Sequence, residues 1–253
     1  MTAALRRRRG SEPLVDGEYP FTAENFEQIA DALNGMAGIV LNEAKAALVY
    51  SRLAKRLRAL GMASFDEYCA LLQDETAVDE RRRMLTALTT NVTRFFREPH
   101  HFDDLRDRLI GPAIDGLRRG GRLRLWSAGC STGQEPYSIA LSILAALPEA
   151  ADLDIRILAT DIDPDVIAKG AAGVYSAAEI EGVPDTDLRR WMERDASGNW
   201  GAGQAMRRLV TFKELNLMGE WPMKGPFQAI FCRNVVIYFD EPTQARVWSR
   251  FVP

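Results

Sequence analysis

The stretch LRLWSAGCSTGQEPYSIAL, residues 123–141, joins an apolar segment to a helical pattern through a turn of glycine, serine and threonine. The apolar segment is typical of a buried strand, and Pro136 is compatible with the first turn of the helix that follows. The alternation continues with DIRILATD (154–161), PDVIAKGAAG (164–173), RLVTFKELNL (208–217) and FQAIFCRNVVIYF (227–239). Strands that alternate with helices in this way predict a parallel, doubly wound α/β sheet.

The part of the chain before this stretch has a helical pattern and no strand signal. Four segments carry it: TAENFEQIADALNGMAGI (22–39), NEAKAALVYSRLAKRLRALG (42–61), SFDEYCALLQ (64–73) and DERRRMLTALTTN (79–91). Thr22 and Asn25 are candidate N-caps, and Gly61 is a candidate C-cap. We therefore predict a small all-α domain over residues 18–90.

Four further boundaries follow from changes in composition. Residues 1–17 are polar and basic and are predicted to be a disordered tail, in which Arg6 to Arg9 form a solvated charge run. Residues 91–119 are interpreted as a linker with a helix, and residues 120–253 as the α/β domain. Residues 176–208, which include the glycine-rich ASGNWGAGQ, are interpreted as an inserted hairpin or a longer excursion of the chain.

Composition excludes several classes of function. The net charge of −3 disfavours a nucleic-acid binder, and no apolar run approaches the ~18 residues that span a bilayer. The three cysteines are scattered without C-x-x-C spacing, which disfavours a zinc site and indicates a reducing compartment. We therefore expect a cytoplasmic protein with no metal.

The turn AGCSTGQEP could hold a phosphate, a nucleophilic serine or a cofactor without phosphates. A phosphate loop would end in Gly-Lys-Ser/Thr, and this turn has no lysine. Gly129 to Gly133 match the G-x-S-x-G pattern of α/β-hydrolases, but that triad needs a histidine after the serine. Because His100 and His101 both precede the serine, the nucleophile interpretation is disfavoured.

The third interpretation is a cofactor with a ribose and an amino-acid tail. A glycine such as Gly129 lets the backbone approach a ligand closely. Asp161, at the end of the second strand, could accept hydrogen bonds from ribose hydroxyls, and Glu135 could meet an amino group. S-adenosylmethionine has all of these groups. The alternative is that Asp161 only caps the next helix, a role that Asp163 could take instead.

Five segments, taken together and in order, resemble the CheR family of chemotaxis receptor glutamate methyltransferases. They are NVTRFFREPHHF (91–102), LRLWSAGCSTGQEPYSIA (123–140), ILATDIDPDVIAKGAAGVY (157–175), FKELNLM (212–218) and FCRNVVIYFD (231–240). The resemblance implies an N-terminal all-α domain followed by a Rossmann-like, S-adenosylmethionine-dependent methyltransferase domain with a small inserted subdomain. It also implies an enzyme that methylates glutamate side chains of chemoreceptors and forms methyl esters.

The resemblance implies site residues as well. Those implied to bind the cofactor are Asn91, Thr93, Arg97, Gly129, Glu135, Asp161, Asn216, Leu217, Arg233 and Asn234, and those implied to be catalytic are Arg97 and Tyr238. A glutamate carboxylate is ionised at neutral pH and can attack a methyl group without a general base. Arg97 suits the orientation of that carboxylate, because a guanidinium binds carboxylates bidentately. The alternative for Arg97 is a structural salt bridge.

Basic residues cluster between Ala44 and Phe65, a stretch that contains no acidic residue. Lys45, Arg52, Lys55 and Arg56 are the candidate docking residues for the cytoplasmic methylation helices of chemoreceptors. Those helices are acidic, so a basic stripe could steer docking. The alternative is a solvated helix face. We expect a monomer that contacts neither nucleic acid nor the membrane interior.

Two features depart from the family pattern. The sequence stops at Pro253, inside what resembles a helix, whereas the family usually continues with two more strands, so we expect an exposed strand edge. Residues 176–208 occupy the region where some members bind a C-terminal receptor peptide, and the sequence leaves that tether open. Two other functions also stay open: a non-catalytic regulator or adaptor that senses S-adenosylmethionine or a nucleotide, and a methyltransferase of small molecules.

Overall fold

The computed structural model describes residues 13–252, which form two compact units. The first comprises the chain up to Thr90 together with Val236–Trp248, and we refer to it as the helical unit. The second comprises Asn91–Val235 together with the residues from Ser249 onward, and we refer to it as the α/β unit. Within residues 13–252, no helix is both long and apolar enough to cross a bilayer.

The helical unit contains the four helices that the sequence predicts. They are α1 (Ala23–Ala37), α2 (Ala46–Leu60), α3 (Phe65–Gln73) and α4 (Val78–Leu88). Thr22 is the N-cap of α1, and Gly61 ends α2 in the left-handed conformation, so these two cap predictions are confirmed. The third candidate, Asn25, is not the N-cap but the N3 residue that completes the capping box with Thr22. A 3₁₀ turn over Glu43–Lys45 precedes α2.

The prediction of a disordered tail over residues 1–17 is wrong for its last part. Strand β1 (Pro13–Val15) pairs antiparallel with β2 (Phe21–Thr22), and the amide of Tyr19 donates to the hydroxyl of Tyr50 at 3.2 Å. The segment is polar and both strands are very short, so neither strand leaves a recognisable pattern in the sequence. The predicted charge run, Arg6 to Arg9, lies outside the described residues.

The α/β unit contains a four-stranded parallel sheet in the order β8 (Val210–Glu214), β4 (Asp154–Asp161), β3 (Arg122–Ala128) and β9 (Ala229–Phe231). In chain order its elements are α5 (His100–Asp104), a π-helical turn (Leu105–Ile110), α6 (Gly111–Arg118), β3 (Arg122–Ala128), α7 (Gln134–Ala146), a 3₁₀ turn (Ala150–Asp152), β4 (Asp154–Asp161), α8 (Pro164–Ala172), β5 (Val174–Tyr175), α9 (Asp185–Trp191), β6 (Met192–Arg194), β7 (Trp200–Ala202), α10 (Gln204–Leu209), β8 (Val210–Glu214) and β9 (Ala229–Phe231). Alternate residues of β3 face opposite sides of the sheet: Leu125 packs in the larger core cluster, and Trp126 packs with Leu217 in the other. The predicted parallel sheet is confirmed.

The insertion contains the predicted hairpin. Strands β6 and β7 pair antiparallel, and β5 joins them to give a second sheet in the order β5-β7-β6. Residues 91–119 contain the predicted linker helix, interrupted by its π-helical turn.

The last predicted strand is far shorter than its apolar pattern. The pattern covers residues 227–239, but β9 ends at Phe231, and Asn234, three residues later, has a left-handed backbone with φ 57°. The remaining residues form a 3₁₀ turn over Val236–Tyr238, followed by α11 (Glu241–Phe251). Within the helical unit, the amide of Val40 donates to the carbonyl of Tyr238 at 2.8 Å.

Candidate active site

The turn after β3 lies at the carboxyl edge of the parallel sheet. Gly129 has φ 79°, and a Cβ atom there would lie 2.2 Å from Cγ2 of Val235. The amides of Gly129 and Cys130 donate to the carbonyl of Thr160 at 2.8 and 2.9 Å. Glycine is therefore required at position 129 by the backbone conformation and by the packing of Val235.

Asp161 ends β4 and is buried beside this turn. Its carboxylate accepts hydrogen bonds from the amides of Ser131 at 2.8 Å and Asp163 at 3.1 Å. Desolvation raises the pKa of Asp161, although these amide hydrogen bonds oppose the rise. Asp163 is the N-cap of α8 and accepts from the amide of Asp165, so the capping role belongs to Asp163.

Glu135 is the second residue of α7, and the start of the helix directs it toward the ends of the strands. The hydroxyl of Ser127 donates to its Oε1 at 2.7 Å, and Nη1 of Arg233 lies 3.5 Å from its Oε2. Burial raises the pKa of Glu135 to about 7, against the lowering effects of Ser127 and Arg233. The site therefore holds a carboxyl group that is only partly ionised at neutral pH.

The segment that begins at Asn91 crosses the turn after β3. The side-chain amide of Asn91 donates to Asp163 at 2.9 Å, and its carbonyl accepts from the hydroxyl of Ser131 at 3.0 Å. Thr93 is half-buried, and Nη1 of Arg97 donates to the carbonyl of Val92 at 2.9 Å.

The ends of β8 and β9 bring the remaining predicted cofactor residues into the α/β unit. After β8, Asn216 accepts from the amide of Met218 at 2.9 Å, and Leu217 is buried. After β9, Nη2 of Arg233 donates to the carbonyl of Arg97 and to Oε2 of Glu98, the latter at 3.1 Å.

Hydrogen bonds within the α/β unit link Asn91 to Asp161 through Ser131, and Arg233 to Arg97. Glu135 lies beside Arg233 as an ion pair at 3.5 Å. Tyr238 belongs to the helical unit, where it is 38% exposed.

The candidate docking residues lie on or next to α2, in two different environments. Lys45 and Lys55 are exposed. Arg52 donates to the carbonyls of Ala87 and Thr89 at 3.1 and 2.8 Å, so its guanidinium is used inside the unit.

Arg56 is used inside the helical unit as well. It forms a bidentate ion pair with Glu80, with distances of 3.0 and 2.6 Å. Of the four candidate docking residues, only Lys45 and Lys55 are exposed, so the four do not form a continuous exposed stripe.

Sequence reasoning missed two polar residues of the site. Ser127 carried a signal, because a hydroxyl inside the apolar strand LRLWSA needs a hydrogen-bond partner when it is buried. Glu98 carried none, because its partner Arg233 is 135 positions away along the chain.

The chemistry of the site fits a cationic, ribose-bearing ligand. Glu135 offers a buried carboxyl group to a ligand ammonium, and Asp161 offers carboxylate oxygens to hydroxyl groups. Two carboxyl groups at one sheet edge would repel a phosphate. The residues present therefore fit S-adenosylmethionine better than a nucleotide phosphate.

Comparisons with known proteins agree with this chemistry. A family model described as the CheR methyltransferase SAM-binding domain matches residues 91–253, and one described as the CheR methyltransferase all-alpha domain matches residues 24–89. A probable chemotaxis protein methyltransferase of Rhizobium etli is 52% identical over 85% of this chain and 81% of its own length. Chemotaxis protein methyltransferase 2 of Pseudomonas aeruginosa is 44% identical over 93% and 83%. The chemotaxis protein methyltransferase of Escherichia coli is 40% identical over 90% and 79%.

Proposed function

The chain belongs to the CheR methyltransferase family, and we propose that it transfers a methyl group from S-adenosylmethionine to glutamate side chains of chemoreceptors in the cytoplasm. The family, the all-α domain followed by a SAM-binding domain, and S-adenosylmethionine as methyl donor are as the sequence resemblance implied. The glutamate acceptor and the roles of individual residues are part of the proposal.

One observation carries the proposal: Glu135, whose side chain is 14% exposed, and the buried Asp161 occupy the carboxyl edge of the sheet, with the Arg97 segment beside them. When bound, S-adenosylmethionine supplies a sulfonium methyl group, which a carboxylate oxygen can take as the carbon–sulfur bond breaks and a thioether leaves. Glu135 would pair with the cofactor's ammonium group, and Asp161 would accept hydrogen bonds from its ribose.

Arg97 would orient the incoming carboxylate. Nη1 of Arg97 donates to the carbonyl of Val92, and Arg233 donates to the carbonyl of Arg97. Hydrogen bonds therefore hold both the guanidinium and the backbone of Arg97. A fixed guanidinium contributes through in-line positioning, which can supply several kcal/mol of the barrier. The catalytic role that the resemblance implies for Tyr238 stays a prediction.

Docking of the receptor would use the exposed charges of the helical unit. Lys45 and Lys55 are exposed, so they can attract an acidic helix through solvent. Arg52 and Arg56 are engaged within the unit, and a direct role for them in docking stays a prediction.

The proposal is tested by transfer of labelled methyl to receptor-containing membranes, with alkali-released methanol as the measure of ester formation. We expect alkali-labile label with the native chain. Arg97→Ala should lower turnover by about 100-fold, the scale of a lost positioning contact, and should change the affinity for S-adenosylhomocysteine far less. Arg94→Ala, which removes an exposed arginine of the same segment, is the matched control and should keep native turnover.

Other outcomes would favour the other functions. Binding of S-adenosylhomocysteine without any transferred label would favour a regulator that senses the cofactor. Methylation of small carboxylic acids at a rate equal to that of receptors would favour a small-molecule methyltransferase.

A further inference from the structure

The backbone on both sides of Arg97 is in the left-handed region. Phe96 has φ 51° and Glu98 has φ 56°, and neither is a glycine. Left-handed backbone is unfavourable for such residues and persists only where surrounding contacts hold it. The contacts that hold this turn therefore also set the position of Arg97.

Three contacts hold it. The hydroxyl of Ser138 accepts from the amide of Phe96 at 2.9 Å, and the ring of Phe96 packs edge-on against Phe102 at 5.2 Å. On the other side, Nη2 of Arg233 donates both to the carbonyl of Arg97 and to the carboxylate of Glu98. The last contact makes Glu98 part of the support for its neighbour.

Glu98 is also one of two carboxylates that compete for Arg233. Its Oε2 lies 3.1 Å from Nη2, and Oε2 of Glu135 lies 3.5 Å from Nη1. The side chain of Arg233 is only 12% exposed, so its charge is shared between these two neighbours rather than screened by solvent. Without Glu98, the attraction toward Glu135 would be unopposed.

We propose that Glu98 is a positioning residue for methyl transfer: it keeps Arg233 on the carbonyl of Arg97 and prevents it from moving closer, into hydrogen-bond distance of Glu135. Arg97 then stays directed at the acceptor, and Glu135 stays open to the ammonium group of the cofactor. This inference rests on the proposed function for the role of Arg97, but its effect on Glu135 concerns ligand binding alone.

Two further observations support it. Desolvation raises the pKa of Glu98, but the hydrogen bond and charge of Arg233, together with Asn234 and His101, lower it by more, so Glu98 is ionised at neutral pH and can hold a cation. The side chain of Asn234 also bonds to Glu98, and Nδ1 of His101 lies 3.4 Å from its Oε2. Asn234 and His101 thus hold the carboxylate in addition to Arg233.

The test compares Glu98→Gln with the native chain in two ligand titrations by calorimetry. In the variant, Arg233 should move to Glu135 and compete with the ligand's ammonium. We expect the affinity for S-adenosylhomocysteine to fall by about 10-fold, the scale of one charged contact. The affinity for an analogue that lacks the α-amino group should stay within about twofold of native, because Glu135 has no partner in that ligand.

Catalysis gives the second readout. Glu98→Gln should lower kcat by more than tenfold with little change in the receptor KM, because the positioning of Arg97 acts on the transition state. Glu98→Asp, which keeps the charge, should recover part of this loss. The matched control is Glu149→Gln, which removes the charge of an exposed glutamate paired with Arg118 at 2.8 Å, and it should change neither readout.

The outcomes separate the two proposals. If the native chain binds S-adenosylhomocysteine but methylates no receptor, the proposed function fails, while the pair of titrations still tests Glu98. If Glu98→Gln weakens both ligands equally, or weakens neither, the positioning role of Glu98 is overturned whatever the assay of the native chain shows.

Discussion

Each unit of the molecule buries a glutamate beside an arginine, and the two pairs differ in how completely they are satisfied. In the helical unit, Nε and Nη2 of Arg56 bond to the two oxygens of Glu80 at 3.0 and 2.6 Å. The hydroxyl of Tyr68 adds a third hydrogen bond to Glu80 at 3.0 Å. This arrangement meets the conditions under which a buried ion pair is tolerated.

In the α/β unit, Arg233 and Glu135 lie close together but do not use all of their hydrogen-bonding atoms. Nη1 of Arg233 and Oε2 of Glu135 are 3.5 Å apart, without a hydrogen bond between them. Among the atoms of residues 13–252, the buried Nε of Arg233 is one of three buried side-chain nitrogens or oxygens that have no hydrogen-bond partner. A buried carboxyl group with a pKa of about 7 lies next to it.

The difference separates a pair whose hydrogen bonds are complete from a pair that the proposed function places beside a bound ligand. The first gains from complete hydrogen bonding, so losing one member leaves a buried charge uncompensated. The second keeps a carboxyl group in an unfavourable environment, which a bound cation would relieve. Substitutions in the two glutamates should therefore have opposite effects on the stability of the ligand-free protein.

The largest effect is expected for Glu80→Ala. It removes a carboxylate that is only 8% exposed and leaves Arg56 and Tyr68 without their partner. We expect the helical unit to lose about 3 kcal/mol of unfolding free energy. Hydrogen exchange of α1 to α4, followed by mass spectrometry, measures this loss.

The matched control for Glu80 is Glu27→Ala, the same change at an exposed position of α1. It should cost less than about 0.5 kcal/mol. Equal exchange rates in the two variants would show that the ion pair with Arg56 does not stabilise the unit.

The next effect has the opposite sign: Glu135→Gln should stabilise the ligand-free α/β unit at high pH. Because the pKa of Glu135 is raised from 4.5 to about 7, the folded chain binds more protons than the unfolded chain between these values. Below about pH 4.5, Glu135 is protonated in both states and its burial does not lower the free energy of unfolding. As the pH rises from 4.5 through 7, the unfolded chain ionises first, so the free energy of unfolding falls. The variant avoids that loss and should gain about 3 kcal/mol over native by pH 8.

Urea unfolding at pH 5 and pH 8 measures this gain. Four of the five tryptophans lie in the α/β unit, so their fluorescence reports mainly on it. Glu220→Gln, at an exposed position, is the control and should show the same stability as native at both pH values. The same Glu135→Gln chain should bind S-adenosylhomocysteine more weakly than native. A stability difference that is constant between pH 5 and pH 8 would mean that Glu135 is ionised throughout.

The contrast also explains which parts of the structure could be predicted from the sequence. Helices α1 to α4, the strands β3 and β4 and the hairpin β6–β7 depend on periodicity, caps and turn residues that lie close together along the chain. The extent of β9 could not be predicted, because its apolar pattern continues past Asn234, where the backbone turns left-handed. Strand β1 has only three residues, and its partner β2 has two, so neither carries a periodic pattern.

The site divides in the same way. Asp161 and Glu135 could be proposed from their places at a strand end and a helix start, because those places are set by local pattern. The role of Glu98 depends on Arg233, and the engagement of Arg52 depends on carbonyls 35 and 37 positions away. Such contacts leave no signal in a single sequence.

The smallest effect is expected at the exposed charges on and next to α2. They allow a paired basic residue to be compared with exposed ones within one unit. Arg56 is paired, whereas Lys45 and Lys55 are exposed. If the lysines attract an acidic receptor helix, Lys45→Glu with Lys55→Glu should raise the receptor KM by about three- to fivefold at low salt and leave kcat unchanged. The increase should shrink at about 0.5 M salt, where the screening length is only a few ångströms. The control reverses two exposed charges of the α/β unit, Arg122→Glu with Lys224→Glu. An equal rise in KM for both double variants would mean that net charge, and not the basic surface of α2, governs encounter with the receptor.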